Sequence, residues 1–211
     1  MDKRVDNRIT RTSGMNTWRA GCSGSCTSGS EGGPQKPTRR KPDRALRSDP
    51  YTYLHTGEGW LYLATVIDLF SRRVIGWAAA DHMRTELVAD ALTMAVATRG
   101  GHVAGVVFHS DRGSVYTSNT YGELCGLHGI VQSMGATGVC WDNSVAESWF
   151  GTMKRELAYR RNWATRAEAR RDLIRWIEGW FNARRLHSSN NYRSPIDWEN
   201  LYYRRGDGIA A

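Results

Sequence analysis

The chain has 211 residues, 40% of them hydrophobic and 24% charged. That length is far beyond the size at which a core becomes marginal, so a disulfide-stapled miniprotein is excluded, and no apolar run approaches the roughly 18 residues that a membrane helix needs. The net charge of +8 is unevenly spread: residues 1–48 carry 11 Lys and Arg against 4 Asp and Glu, residues 49–150 carry 5 against 10, and residues 151–211 carry 13 against 7. An acidic middle between basic ends fits a carboxylate site that holds cations within surroundings that hold phosphates, and a solvated tail with a charged helix face fits the same numbers. The start Met-Asp-Lys-Arg is followed by no apolar segment, so the expectation is a cytoplasmic protein with no membrane partner.

Residues 1–50 contain few hydrophobic residues, with Gly and Ser crowded over 21–33 and Lys, Arg and Pro over 35–47. Such a composition buries too little to offset its ordering entropy, which predicts a disordered basic arm ahead of a folded core over 51–199 and a short tail over 200–211. Cys22 and Cys26 lack a second ligand pair, so free thiols are expected rather than zinc. The apolar runs Trp60 to Phe70 and Arg73 to Ala80 predict two neighbouring strands of a sheet buried on both faces. Apolar residues at Leu87, Val88, Ala91, Leu92, Ala95 and Val96 predict a helix over Thr85 to Thr98, with Thr85 as a candidate cap and Gly100-Gly101 as its end.

Val103 to Phe108 then reads as a short strand, Ser118 to Leu127 as a helix, and Ile130 to Gln132 as a further strand. The glycine-rich stretch Gly135 to Asp142 reads as a loop. Two helices follow, over Asn143 to Tyr159 and Arg166 to Ala183. Strands followed by alternating helices and strands make this an α/β chain with a central mixed sheet flanked by helices.

His109-Ser-Asp-Arg-Gly113 follows a strand directly, which places Asp111 at a strand's carboxyl end, where open α/β sheets hold their ligands. Asn143, Glu147 and Lys154, four and seven residues apart, share one face of the helix that follows. Ordinary solvated helices show the same spacing, so the pattern alone leaves both readings open.

The strings Thr56-Gly-Glu-Gly-Trp-Leu-Tyr-Leu-Ala64, Val66-Ile-Asp-Leu-Phe-Ser-Arg-Arg73 with Gly76-Trp77, His109-Ser-Asp-Arg-Gly113, Trp141-Asp-Asn143 with Glu147, and His187-Ser through Ser194-Pro195 resemble the catalytic core of DDE-type insertion-sequence transposases, the branch similar to retroviral integrases. The resemblance runs from Thr52 to Glu199 and implies an RNase H-like fold. It also implies Asp111 and Glu147, with 35 residues between them, as metal-binding catalytic carboxylates. Lys154, Asn143, Trp141, Arg184, Arg185 and Arg193 are the DNA-contacting residues it suggests. Mg²⁺ or Mn²⁺ is the implied cofactor, suited to hard oxygen ligands, and the implied partners are the element ends and the target DNA, with a homo-oligomer on DNA admitted.

The first aspartate departs from that pattern. Its place, two residues ahead of Thr52-Tyr53, is held by Pro50, and Asp49 stands one residue early. A one-residue displacement turns a strand side chain to the other face unless a bulge restores it, so Asp49 enters as the third candidate metal ligand and catalytic residue on that condition. The abrupt loss of resemblance before Thr52 is what a frameshift or deletion would leave. Three readings follow: a strand-transfer domain with a weak or dead site, a DNA-binding remnant without chemistry, and an RNase H-like nuclease.

Overall fold

The computed structural model describes residues 17–20, 52–110, 113–134 and 144–204, the first four as backbone only. Six strands form one sheet: β1 (Thr17–Ala20), β2 (Thr52–Thr56), β3 (Gly59–Asp68), β4 (Val74–Ala80), β5 (Val107–Ser110) and β6 (Val131–Met134). β2, β3 and β4 are antiparallel, whereas β1, β5 and β6 run parallel to one another. The helices are α1 (Thr85–Thr98), α2 (Asn119–Leu127), α3 (Ser144–Glu156), α4 (Arg166–Ile174) and α5 (Pro195–Arg204). A π-helical stretch, Arg175–Asn182, continues α4 without a break.

Alternation along β3 divides the core. Ala64 and Val66 pack with Ile75, Phe108, Tyr121 and the apolar stripe of α1, forming one face with α1 and α2. Leu61, Leu63 and Ile67 pack with Leu54, Trp149, Phe150, Met153, Leu173 and Phe181 on the other face, under α3, α4 and the π-helical stretch. The result is the three-layer α/β/α arrangement expected of a sheet buried on both sides. Asn182, fully buried, acts as a substitute strand for β4: its Nδ2 donates to the Val74 carbonyl and its Oδ1 accepts from the Val74 N–H, both at 2.9 Å.

Several boundaries differ from the sequence reading for local reasons. Thr85 is the first residue of α1 rather than its cap, a place taken by Arg84 without a side-chain bond. Val103 is buried, but Val106 donates to the Val103 carbonyl in a turn, so β5 starts only at Val107. α5 runs to Arg204, across the expected core–tail boundary, because Trp198 and Tyr202 pack on Phe70. Trp149 and Trp176 are core residues, whereas Trp60 and Trp180 are about half exposed at 46% and 45%. The buried Cys125 thiol is pushed up to about 11 by burial, which makes it a poor nucleophile.

The largest departure is β1, a strand inside the stretch expected as a disordered arm. Thr17–Ala20 pairs on one edge with β3, Ala20 opposite Val66, and on the other with β5, Arg19 opposite His109. β4 occupies β3's second edge over the same residues, so β1 and β2 share the first edge and lie end to end, running in one direction. Ala20 faces Val66 and Thr52 faces Leu63, leaving the ladder places opposite Ala64 and Thr65 between them. Backbone pairing on two edges holds such a strand without any hydrophobic pattern of its own, which is why composition does not announce it.

Candidate functional site at the carboxyl end of β5

Asp49, Asp111, Trp141 and Asn143 lie outside the described residues, as does the loop over 135–142, so the site is built from what surrounds them. β5 ends at Ser110, buried at the sheet's edge, and Asp111 is the next residue in the chain. Glu147 sits in the first turn of α3, half-buried, where the helix dipole favours a negative group. Lys154, two turns on, is also half-buried, and burial pulls its ammonium below the usual lysine range. Gly151 lies between them on the same face. A Cβ there would meet only the Arg155 side chain at 3.5 Å, so packing does not require the glycine, and its bareness leaves the helix backbone open to close approach.

The described registers leave one place opposite Thr65 open between β1 and β2. Two residues before Thr52, on the ladder with β3, is the place opposite Thr65; one step beyond Ala20 on the same ladder is that place again. On the β5 ladder it follows the place level with Ser110 and so stands level with position 111. Thr65 lies on the parity of Leu61, Leu63 and Ile67, so a side chain opposite it belongs to the face that α3 covers. Pro50, two residues before Thr52, and Gly21, the residue after Ala20, lie outside the described residues, and neither bears a carboxylate. The neighbouring place opposite Val66 is held by Ala20.

The hydroxyls of Thr52 and Thr65 are buried on the face that α3 covers and that of Ser110 on the opposite face, the parity of Phe108, each with no hydrogen-bond partner among the described residues. Hard oxygen donors such as the Glu147 carboxylate and the Thr52 and Thr65 hydroxyls suit a divalent cation of the magnesium kind. Among the described residues no group of three or more His, Cys, Asp or Glu could hold a metal.

Asp68 is assigned a different task. Its Oδ1 accepts from the Phe70 and Ser71 N–H groups at 2.9 Å each, and its Oδ2 accepts from Arg99 Nη2 at 2.8 Å. Arg99 also donates to Glu199 Oε1 at 2.6 Å, Ser71 Oγ donates to the same oxygen at 2.8 Å, and Arg73 Nη1 donates to Glu199 Oε2 at 2.8 Å. Asp68 and Glu199 are buried, at 3% and 5% exposure. Burial works against the Glu199 charge, yet the hydrogen bonds and charge of Arg99 and Arg73 hold Glu199 below the usual carboxylate range, and the two acids hold Arg99 above the usual arginine range. The motif residues Asp68, Ser71 and Arg73 thus fasten the β3–β4 turn to the end of α1 and the middle of α5.

Of the basic residues singled out in the sequence, Arg184 and Arg193 are exposed. Arg185 is half-buried and ion-paired with Glu156. His187 lies against Phe181, and its basicity drops to about 4, first through burial and then through the charges of Arg185 and Arg72. An unfolded chain regains the ordinary value of 6.5, so as pH falls from about 6.5 towards 4 the unfolded state takes up the proton first and stability is lost. Urea midpoints at pH 7, 6 and 5 should therefore fall, and His187→Gln should flatten the decline; an unchanged slope in that variant would show that His187 does not titrate in this way.

Two integrase core domain models match the chain, over residues 39–140 and 128–195, covering most of it without a gap. The chain belongs to the integrase-core family. Among its relatives are the transposase for insertion sequence element IS904 of Lactococcus lactis, 40% identical over 70% of this chain and 58% of the relative, and transposase InsF for insertion sequence IS3A of Escherichia coli, 42% identical over 71% and 51%. The chain thus spans little more than half the length of these relatives. Solved structures share the fold at low identity. The catalytic core domain of BIV integrase superposes with a TM-score of 0.53 at 14% identity, covering 92% of this chain and 99% of that one. The HTLV-2 integrase catalytic core domain in complex with magnesium gives 0.56 at 12% identity, covering 87% and 95%. The RNase H-like architecture expected from the motifs is therefore the architecture found.

Arg72 and Thr152, which line a groove beside α3 and His187, escaped the sequence reading. The only signal was the doubled arginine after Ser71, whose two members turn out to do different things.

Proposed function

We propose that this chain is a transposase catalytic core for metal-dependent strand transfer on DNA whose carboxylate site is incomplete, so that it binds DNA but joins strands weakly or not at all. The observation that carries this reading is the integrase-core match together with a ladder place, opposite Thr65 and level with position 111, that neither Pro50 nor Gly21 supplies with a carboxylate. Asp111 and Glu147, with Asp49 as the remaining candidate, would hold Mg²⁺ or Mn²⁺, which when bound activates an attacking oxygen and stabilises the leaving one. Lys154, Asn143 and Trp141 flank Glu147 as contacts for the DNA end, and Arg184, Arg185 and Arg193 contact phosphates. Two carboxylates without the third repel each other and leave too few ligands to keep both ions.

The test is strand transfer on labelled oligonucleotides in Mg²⁺. Both Pro50→Asp and Gly21→Asp are assayed, and the one that fills the place opposite Thr65 should raise transfer at least about tenfold, the scale of a lost or gained metal-site interaction. Adding Glu147→Gln to the improved variant should abolish the gain. If the unmodified chain already transfers at the rate of both variants and loses that activity on Asp49→Asn, Asp49 is the working ligand and the site is complete. Cleavage without joining would instead favour the nuclease reading.

A further inference from the structure

A groove of about 370 Å³ lies between α3, the β3–β4 turn and the chain around His187, lined among others by Arg72, Ser148, Thr152, Arg185, His187 and Ser188. On the helical wheel of α3, Ser148 and Thr152 fall on the opposite flank of the core stripe from Glu147 and Lys154, so the groove is separate from the carboxylate site.

Its chemistry is unbalanced. The Arg72 guanidinium is half-buried, and among the described residues nothing accepts a hydrogen bond from it, although it carries five donors. Burial lowers its basicity more than the charge of Asp68 raises it, which marks a cation that lacks compensation. His187 Nε2 is buried and likewise without a partner. Arg72 and Arg185, the latter ion-paired with Glu156, both press on His187 electrostatically, and the hollow between them is lined by the Ser148 and Thr152 hydroxyls together with apolar side chains such as Trp149, Phe181 and Leu186. Arg72 also holds a left-handed backbone, φ 64°, which a residue with a side chain adopts at a cost. The unpaired Arg72 guanidinium and His187 Nε2 are accounted for by an anion with several acceptor oxygens.

We propose that this groove binds a phosphodiester group of a nucleic-acid backbone, with the Arg72 guanidinium as its principal donor and His187 Nε2 and the Ser148 and Thr152 hydroxyls beside it. The choice of a nucleic acid over a free phosphate rests on the reading that the chain acts on DNA. It gives the protein a second hold on a strand, on the flank of α3 away from Glu147.

The experiment is fluorescence anisotropy of the full chain with a labelled 20-base-pair duplex across a NaCl series, in EDTA so that the carboxylate site contributes nothing. Arg72→Gly should weaken binding and lower the salt slope by about one unit, the share of one phosphate contact. Arg72→Lys should restore the slope. Glycine suits φ 64°, so the thermal midpoint of Arg72→Gly should stay level or rise; a fold-related loss of binding would show there first, and Arg72→Asn, also tolerant of that backbone, provides the second variant. A parallel arm titrates sodium phosphate against the thermal midpoint. If phosphate stabilises the parent and not Arg72→Gly while duplex binding is equal in both, the ligand is a free phosphate and the nucleic-acid assignment is overturned. If neither phosphate nor duplex distinguishes the two proteins, the groove is not an anion site. The result is independent of strand transfer, since a chain that joins no DNA still reports the Arg72 contribution in EDTA.

Discussion

Replacing Arg99 by alanine should destabilise the fold by about 3–5 kcal/mol, the cost of leaving a buried charge without its partner. Arg99 is the common donor to Asp68 and Glu199, whose side chains are 4% and 6% exposed. Removing it strands two carboxylates side by side with only Ser71, Arg73 and two backbone N–H groups to hold them. Urea denaturation monitored by tryptophan fluorescence measures the change. Adding Glu199→Gln to Arg99→Ala should recover part of the loss, because it removes one of the two stranded charges. A loss below 1 kcal/mol would mean that water reaches the network and that the ion pairs behave as surface ones. The pH dependence has a definite sign: Glu199, held below the ordinary 4.5, contributes in full above that value, and as pH falls below 4.5 the unfolded state takes up the proton first, so the contribution is lost progressively down to the group's own lower value.

Gly76→Ala should cost about 3 kcal/mol or more, through overpacking rather than charge. A Cβ on Gly76 would stand 2.1 Å from the Ala91 carbonyl oxygen, 2.7 Å from the Ala95 nitrogen and 2.8 Å from the Ala95 Cβ. Those atoms belong to the backbone of α1 or to its buried stripe, so no side chain can swing aside; α1 would have to lift from β4. For a domain of this size, a loss of that order lowers the thermal midpoint by roughly 6–12 °C. A shift under 2 °C would show that α1 rides on the sheet with slack. The motif glycine before Trp77 is thus a contact point between two layers.

The elements most legible in the sequence are those in which side chains alone decide. The bounds of α1 follow from six apolar residues at helical spacing, and β3 and β4 follow from runs apolar on both parities, because each buries both its faces. Ser118 caps α2 as a residue of its type does, accepting from the Tyr121 N–H. What resisted reading depends on partners distant in the chain. The Asp68–Arg99–Glu199 network joins residues separated by up to 131 positions, and no local pattern links them. The π-helical stretch over Arg175–Asn182 keeps an apolar spacing that a regular helix would also show. Motif and separation pair Asp111 with Glu147 as an expectation, whereas the groove around Arg72 assembles from three segments that share no motif of their own.

β1 also shapes how the chain is made. Among the described strands it alone joins the antiparallel group β2–β3–β4 to the parallel pair β5–β6. A ribosome delivers Thr17–Ala20 first, β3 next and β5 only when Ser110 has emerged, about 90 residues after Ala20. At 5–20 residues per second the early strand therefore waits roughly 5–20 s before both its edges can be satisfied. Throughout that interval the nascent chain carries a strand able to pair with any exposed edge, including that of a neighbouring nascent copy on the same message.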